Sequence, residues 1–338
     1  MSGSDPGLDT GWRQLEEGNS AAARKLAERE LREDPVSPDA LLLLAACHRE
    51  QGEFEDAIAL LAKASGAAPQ WSEPEQWLAE ILARELERPA EALAHAAAAL
   101  DRAEEEDEFL DAVLLKAWLE IQLGKTRAAQ ATLSALPPAT EVSHPADLSL
   151  ELAYLFLEAE LAEEAEKRFR LLADGDADSA EAWYGLGLCA EESGDETAKR
   201  AAWLRALAID GKSPLQNPHM SESEMAEVAE QALRELPEAA RKLIENVPIL
   251  IVDLPAHQEV EQGLDPRLLG LFEGAAYSDG SSLGGAPQVT QILLFRKNLE
   301  RMAIDSEDLR EQIRITLLHE TGHFFGMSED DLADVGLD

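Results

Sequence analysis

The chain is poor in several things at once. It has 2 cysteines and 5% aromatic residues among its 338. Cys47 and Cys189 lie far apart in apolar helical segments, and neither has a CxxC neighbour. A disulfide framework and a cysteine metal site are both excluded as readings; two buried thiols in a cytoplasmic protein are expected. Basic residues are scarce, 29 against 68 acidic, for a formal net charge of -39. Cut after Gln216, the first part holds 20 basic and 44 acidic residues and the second 9 and 24. No part therefore presents the basic surface that nucleic acid or an anionic membrane requires, and a partner, if charge selects it, is basic. Long apolar runs are missing too: the stretch from Leu41 to Cys47 is far too short to span a bilayer. The opening MSGSDPGLDTGW has no basic n-region and no apolar h-region, so no secretory signal is expected.

What is abundant is leucine, alanine and glutamate, with 45% of the chain apolar. That composition favours helices. Over residues 8–207 the apolar spacing is helical, and breakers recur where hairpin turns would fall. EEGNSAAA and EQGEFEDA place Gly18 and Gly52 34 residues apart, and Pro35 and Pro69 repeat the interval. Later turns fall at Arg88-Pro89, Leu123-Gly124, Leu161-Ala162 and Ser193-Gly194. Small residues follow each turn, as at Ala57, Ala128, Ala165 and Ala198, so that the two helices of a hairpin can approach closely. One hairpin cannot hide its own apolar stripe, so the units must stack.

This pattern resembles the tetratricopeptide repeat (TPR). The best single stretch is AEAWYGLGLCAEESGDETAKRAAWLRALAIDGKSP, with Trp183, Leu186, Gly187, Gly194, Ala198, Ala202, Ala206 and a closing Pro214. About six repeats are read. The resemblance implies a protein or peptide partner held by the repeats without naming one, and no lysine and asparagine set for clamping a peptide carboxylate is visible. Trp77, Trp118, Trp183 and Trp203 sit at core spacing, whereas Trp12 and Trp71 lie nearer segment ends. His48, His95 and His144 have no partner at ligand spacing, and the run EEEDEF reads as a solvated helix end.

GKSPLQNPHMSESE, with Pro214 and Pro218, reads as a linker. Ser221 and Glu224 form a capping box for a helix from Met225 to about Leu236. The division expected is a helical repeat domain over residues 1–213, a linker over 214–224 and a second domain over 225–338. In that second part the period changes. PILIVDLP is short, β-branched and bounded by prolines, as a strand is; LLGLFEG reads as a second strand or a turn-rich segment; QVTQILLFRKNL contains a third. Residues 306–326 form a long helix, with Ser306 as N-cap and Gly326 as its end.

That helix carries HETGH. His319 and His323 are four apart and share a helix face, so two neutral imidazoles can hold one Zn²⁺. Glu320 points off that line, placed to act on a water rather than on the metal, which is the reason for the HExxH spacing. A third protein ligand is wanted. Gly326 permits a sharp turn, and Glu329 follows in HExxHxxGxxE, a metzincin-like spacing with a carboxylate where a third histidine often stands. Glu329 is the first candidate and Asp330 the second. Both also sit in SEDD, which suits a short helix start.

From residue 248 to 337 the chain resembles the small bacterial family called the minimal zincin, or zincin-like metallopeptidase. The stretches that carry the likeness are PILIVDLP, LLGLFEG, ILLFR and DLREQIRITLLHETGHFFGMSEDDL, in order and spacing. The resemblance implies an α+β domain with the HExxH helix near the C-terminus, behind a TPR-like α-solenoid, in a mostly α chain. It implies His319 and His323 as zinc ligands and Glu320 as general base. The function expected is a zinc-dependent peptidase whose repeats recruit a partner or substrate. The alternative is a non-catalytic zinc-binding adaptor in which the repeats do the work. In the peptidase, the strand from Ile292 to Arg296 is expected to offer an edge to an extended peptide. Tyr277, His257 and Glu273 are outlying candidates near the centre.

Overall fold

A computed structural model describes residues 6–138, 145–236, 238, 241, 247–274, 289–325 and 327. Twelve helices make six antiparallel hairpins. They are α1 (Pro6–Glu16) with α2 (Ser20–Glu33), α3 (Pro38–Glu50) with α4 (Phe54–Ala67), and α5 (Glu73–Glu80) with α6 (Pro89–Arg102). Then come α7 (Glu106–Gln122) with α8 (Thr126–Leu133), α9 (Ala146–Glu158) with α10 (Ala162–Gly175), and α11 (Ala180–Glu192) with α12 (Glu196–Lys212). The third hairpin differs, because α5 runs on into a π-helical turn, Ile81–Glu85. Gly18, Gly52, Gly124 and Gly194 close four of the turns with φ between 66° and 77°. That left-handed backbone costs glycine nothing extra. At the other two turns Glu87 (φ 53°) and Glu160 (φ 60°) take the same role despite their side chains.

Contacts divide the chain into two compact units, Met1–Arg168 and Phe169–Asp338. In the first, the second helix of each hairpin turns an alanine stripe inward. Ala23 and Ala27, Ala57 and Ala64, and Ala92, Ala96 and Ala99 have no exposed surface. With only a methyl at those positions the larger side chains of the neighbouring helices, such as Leu43, Leu78 and Leu119, fill the space between. Trp12 packs edge-on against Trp77 with centroids 6.0 Å apart, and Trp71 joins the cluster around Leu61, so both are packing residues. Cys47 is buried, as is Cys189 in the second unit, and neither forms a disulfide. The half-solvated EEEDEF run forms the start of α7, with Glu106, Asp107 and Glu108 in its first turn, where acids favour the dipole.

In the second unit, α11 and α12 are followed by α13 (Glu222–Glu235), which opens on the capping box of Ser221 and Glu224. The segment ahead of it is tied down: the buried Glu300 carboxylate accepts from His219 N (2.9 Å) and Met220 N (3.3 Å). Three strands follow, β1 (Ile249–Val252), β2 (Gly270–Gly274) and β3 (Val289–Phe295), with α14 (His257–Glu261) between the first two. Two more helices follow among the described residues, α15 (Arg296–Met302) and α16 (Ser306–Phe324). LLGLFEG thus resolves as a strand. The sheet order is β1-β3-β2, with β1 parallel and β2 antiparallel to β3. β3 is therefore the central strand, which corrects the expectation that Ile292 to Arg296 offers a peptide an edge: both its sides are already paired. Ile292 and Leu294 point into a core with Met225, Ala229, Leu309, Ile313 and Leu317, which packs α13 and α16 on the sheet.

The buried carboxylates make the stability of the chain depend on pH in a definite direction. Burial, assisted by neighbouring acids, raises Glu73 and Asp111; burial alone raises Glu158; burial also raises Asp265, outweighing its hydrogen bonds from Arg267 and Tyr184. A carboxyl raised in the fold contributes stability that is complete below its ordinary value and is lost as the pH climbs through the folded one. Glu75 moves the other way: burial pushes it up, but Ser65, His95 and Arg102 together hold it below 4.5. Glu224, Asp305 and Glu311, which accept local hydrogen bonds, are also lowered. Lowered groups withdraw stability only below their ordinary values of 4.5 (Glu) and 3.8 (Asp). Between pH 7 and about 5 only the raised set acts, and protonation also relieves the self-repulsion of the acidic chain. The thermal midpoint is expected to rise over that interval, about 2–4 °C for each kcal/mol regained, and to fall again below pH 4. Differential scanning calorimetry across the range checks this; a midpoint falling steadily from pH 7 to 5 would contradict it.

Candidate metal centre

The centre is built on the last two turns of α16. The helix starts at Asp305, whose Oδ1 accepts from Glu307 N and Asp308 N, both at 2.9 Å. This corrects the expected N-cap, Ser306, by one residue: a carboxylate serves both orphan amides and opposes the dipole, and the shorter serine becomes the first helical residue. Leu309, Ile313 and Leu317 are completely buried and orient the helix. The same stripe, continued by one turn, brings Thr316 and Glu320 against β2. There the chain needs Gly270, because a Cβ at that position would lie 2.7 Å from Thr316 Cγ2 and 3.2 Å from Glu320 Cγ.

Glu320 lies beside the sheet as a consequence. Its Oε2 accepts a 2.8 Å hydrogen bond from the backbone N–H of Phe272. Phe295 N donates to Leu269 O at 2.9 Å, so the alternation of an antiparallel pair directs the Phe272 N–H away from β3, toward the outer edge. The carboxylate thus satisfies a strand-edge donor and is held in one place by it.

The two histidines sit on the adjacent helix face, both half-buried. His319 Nε2 and His323 Nε2 are 2.9 Å apart, and the rings meet nearly edge to face, 80° between planes with centroids 4.6 Å apart. Two nitrogens on one tetrahedral zinc, at bond lengths of about 2.0–2.1 Å, stand about 3.3 Å from each other. The pair is already within a few tenths of an ångström of that separation, so the residues fit a shared metal. His323 Nδ1 faces Met327 O at 3.3 Å. Donation from Nδ1 to that carbonyl leaves the Nε2 lone pair directed at the shared point, the usual support for a metal-binding imidazole.

Glu329 and Asp330, the two candidates for a third ligand, and Tyr277 lie outside the described residues. Glu273 is hydrogen-bonded by the Gln291 side chain on β3, and His257 is exposed at the first turn of α14. Neither is brought to Glu320 by any contact of the structure. Two features of the centre had no residue-type signal: the Phe272 amide is backbone, and Gly270 matters for an atom it lacks. His48 is a further surprise, since its Nδ1 lies 2.6 Å from Glu53 Oε2, with Asp56 close by. Arg24, 3.9 Å from the same Glu53 oxygen, marks this group as an ion-pair network at the start of α4.

Comparison with known proteins agrees with both halves of this description. Residues 244–337 match the family model of the zincin-like metallopeptidases, and residues 8–70 and 150–214 match that of the tetratricopeptide repeat. The chain thus carries tetratricopeptide repeats and, over residues 244–337, a zincin-like metallopeptidase domain. Among solved structures it is similar to the C-terminal part of a TPR repeat-containing protein from Cytophaga hutchinsonii: 13% identity, 77% of this chain and 95% of that one, TM-score 0.49. It is also similar to PilW, a type IV pilus biogenesis factor (20%, 61% and 93%, 0.47). A third is YrrB, described as a TPR protein with an unusual peptide-binding site (15%, 55% and 93%, 0.46). No curated protein matches the chain. Among the described residues no helix is long and apolar enough to cross a membrane.

Proposed function

We propose that the chain is a zinc-dependent metallopeptidase of the cytoplasm whose helical repeats recruit a basic protein or peptide, as partner or as substrate. The observation that carries this is the convergence of His319 Nε2 and His323 Nε2 beside a glutamate held by the β2 edge. His319 and His323 are the first two zinc ligands, and Glu329 the third, with Asp330 as its alternate. Bound there, zinc supplies Lewis acidity toward the scissile carbonyl and makes water nucleophilic near neutral pH. The protein's own part is positional and acid–base. The Met327 carbonyl sets the tautomer of His323, and the Phe272 amide sets the carboxylate of Glu320. Glu320 takes the proton of the attacking water and gives it to the leaving amine. A merely structural zinc site would not require a carboxylate there, since an amide carbonyl could equally accept from Phe272 N.

The basic partner is supported by the first helices of successive hairpins. Asp39 on α3, Glu80 on α5 and Glu108 on α7 add to the upward shift that burial gives Glu73 of α5, and Glu80, Asp107 of α7 and Glu151 on α9 add to that of Asp111 on α7. Like charges accumulated on one set of helices favour a cationic ligand and disfavour nucleic acid or an anionic membrane. The two buried cysteines, neither of them in a disulfide, support the cytoplasm.

Zinc content tests the reading at its base. The purified parent chain, incubated with zinc and desalted, is expected to retain about one ion per chain, and His323→Ala little or none, since two ligands remain where three are needed. Absence of zinc from both proteins would end the peptidase reading and leave the repeats as the functional part.

A further inference from the structure

We propose that Arg267, in the segment leading into β2, is a positioning residue of the metal centre, and that through it helix α11 of the last hairpin forms part of that centre's scaffold. The inference deepens the peptidase reading and rests on it for its functional meaning. Its structural content is independent.

Arg267 grips Glu181 of α11 with both ends of its guanidinium: Nη1 donates to Oε2 at 2.6 Å and Nη2 to Oε1 at 2.8 Å. The same guanidinium lies 4.3 Å over the ring of Tyr184, one turn along α11, and 3.8 Å from the buried Asp210 carboxylate of α12. Tyr184 in turn donates its hydroxyl proton to Asp265 Oδ2 at 2.9 Å, and Asp265 Oδ1 accepts from Arg267 N at 2.7 Å. A planar fork between a carboxylate and an aromatic face fixes orientation as well as distance, which a single charge contact does not.

From that joint the path to the centre is short. The buried Asn298 of α15 donates to Pro266 O (2.9 Å) and Leu268 O (2.7 Å) on either side of Arg267. Leu269 O accepts from Phe295 N, Gly270 lies against Thr316 and Glu320, and Phe272 N holds the Glu320 carboxylate. β2 is a short outer strand whose register with β3 already slips at Glu273/Gly274. Its near end is the end that Arg267 ties. Among the described strands it stands last in the order β1-β3-β2, and a short outer strand is the kind of element that opens locally without the rest of its domain. What prevents it here, on this reading, is the grip on α11.

The test is amide hydrogen exchange of the full-length zinc-free chain, read by NMR at Phe272. Arg267→Gln is expected to speed exchange at Phe272 by about tenfold or more, while amides in the middle of α16, such as Ile313, exchange as in the parent. Arg267→Lys, which keeps the charge and loses the fork, should give a smaller rise, and it decides the matter if the glutamine variant fails to fold. Unchanged exchange at Phe272 in Arg267→Gln, or a rise shared equally by all amides of residues 169–338, would overturn the proposal. Loss of the peptidase reading, by absence of zinc or by full hydrolysis without Glu320, would leave these exchange rates as they are, so the two failures are distinguishable.

Discussion

Replacing Glu320 by glutamine is expected to lower peptide hydrolysis by about 10²- to 10⁴-fold, the usual contribution of a positioned general base, while zinc per chain stays at the parental value. The substitution is nearly isosteric. A glutamine carbonyl can still accept from Phe272 N, so the close seat of α16 against Gly270 and the hydrogen bond at 2.8 Å need not be lost. What is lost is the ability to take a proton from water and return it to an amine. Both histidines are untouched, and the metal should remain. The measurement is turnover of a peptide that the parent cleaves, found by incubating the zinc-loaded parent with a mixed peptide library, together with metal content. Turnover equal to the parent would remove Glu320 from the chemistry. Parental zinc with no cleavage by the parent of any library peptide would favour the alternative, a zinc-binding adaptor whose repeats do the work.

The second large effect concerns stability. Trp203→Ala is expected to destabilise the second unit by about 3–5 kcal/mol, the range for emptying a large buried aromatic site. Trp203 is 2% exposed and sits where glycine makes room for it: a Cβ at Gly187 would lie 2.0 Å from Trp203 Cδ1. Its ring stacks on Tyr184, 6.4 Å between centroids and 18° between planes, and packs in one cluster with Leu207, Val260 and Leu254. The side chain therefore joins the last hairpin to α14. Since whole domains are stable by only about 5–15 kcal/mol, the loss should be evident as a lower urea midpoint for this unit. Trp203 belongs to the second unit, and the first should unfold as before. A loss below about 1 kcal/mol would mean that the site refills and that the tryptophan is not the keystone of this cluster.

Much of this was readable from residue order. Helix periodicity, the 34-residue interval between Gly18 and Gly52 and the alanines after each turn imply stacked hairpins, because those features act within one or two turns of chain. The turns at Glu87 and Glu160 show the limit of the method, since glutamate there gives no local sign of a left-handed backbone. The capping box of Ser221 and Glu224 was legible for the same local reason, and the one-residue error at Asp305 arose because Asp305 and Ser306 are both good caps. The edge strand was misplaced because strand order depends on pairing between distant segments, which composition does not encode.

The sequence by itself determined the helical hairpins, the zincin-like stretch and the coincidence of His319 and His323 on one helix face. All of these follow from the 3.6-residue period and from residue chemistry. Only the tertiary structure decided that β3 is central, that Gly270 lets α16 close on the sheet and that a backbone amide of β2 holds Glu320. The same holds for the grip of Arg267 on Glu181, 86 residues earlier in the chain. These are meetings of groups remote in sequence, settled by which surfaces pack, and a backbone N–H or a missing Cβ carries no letter of its own.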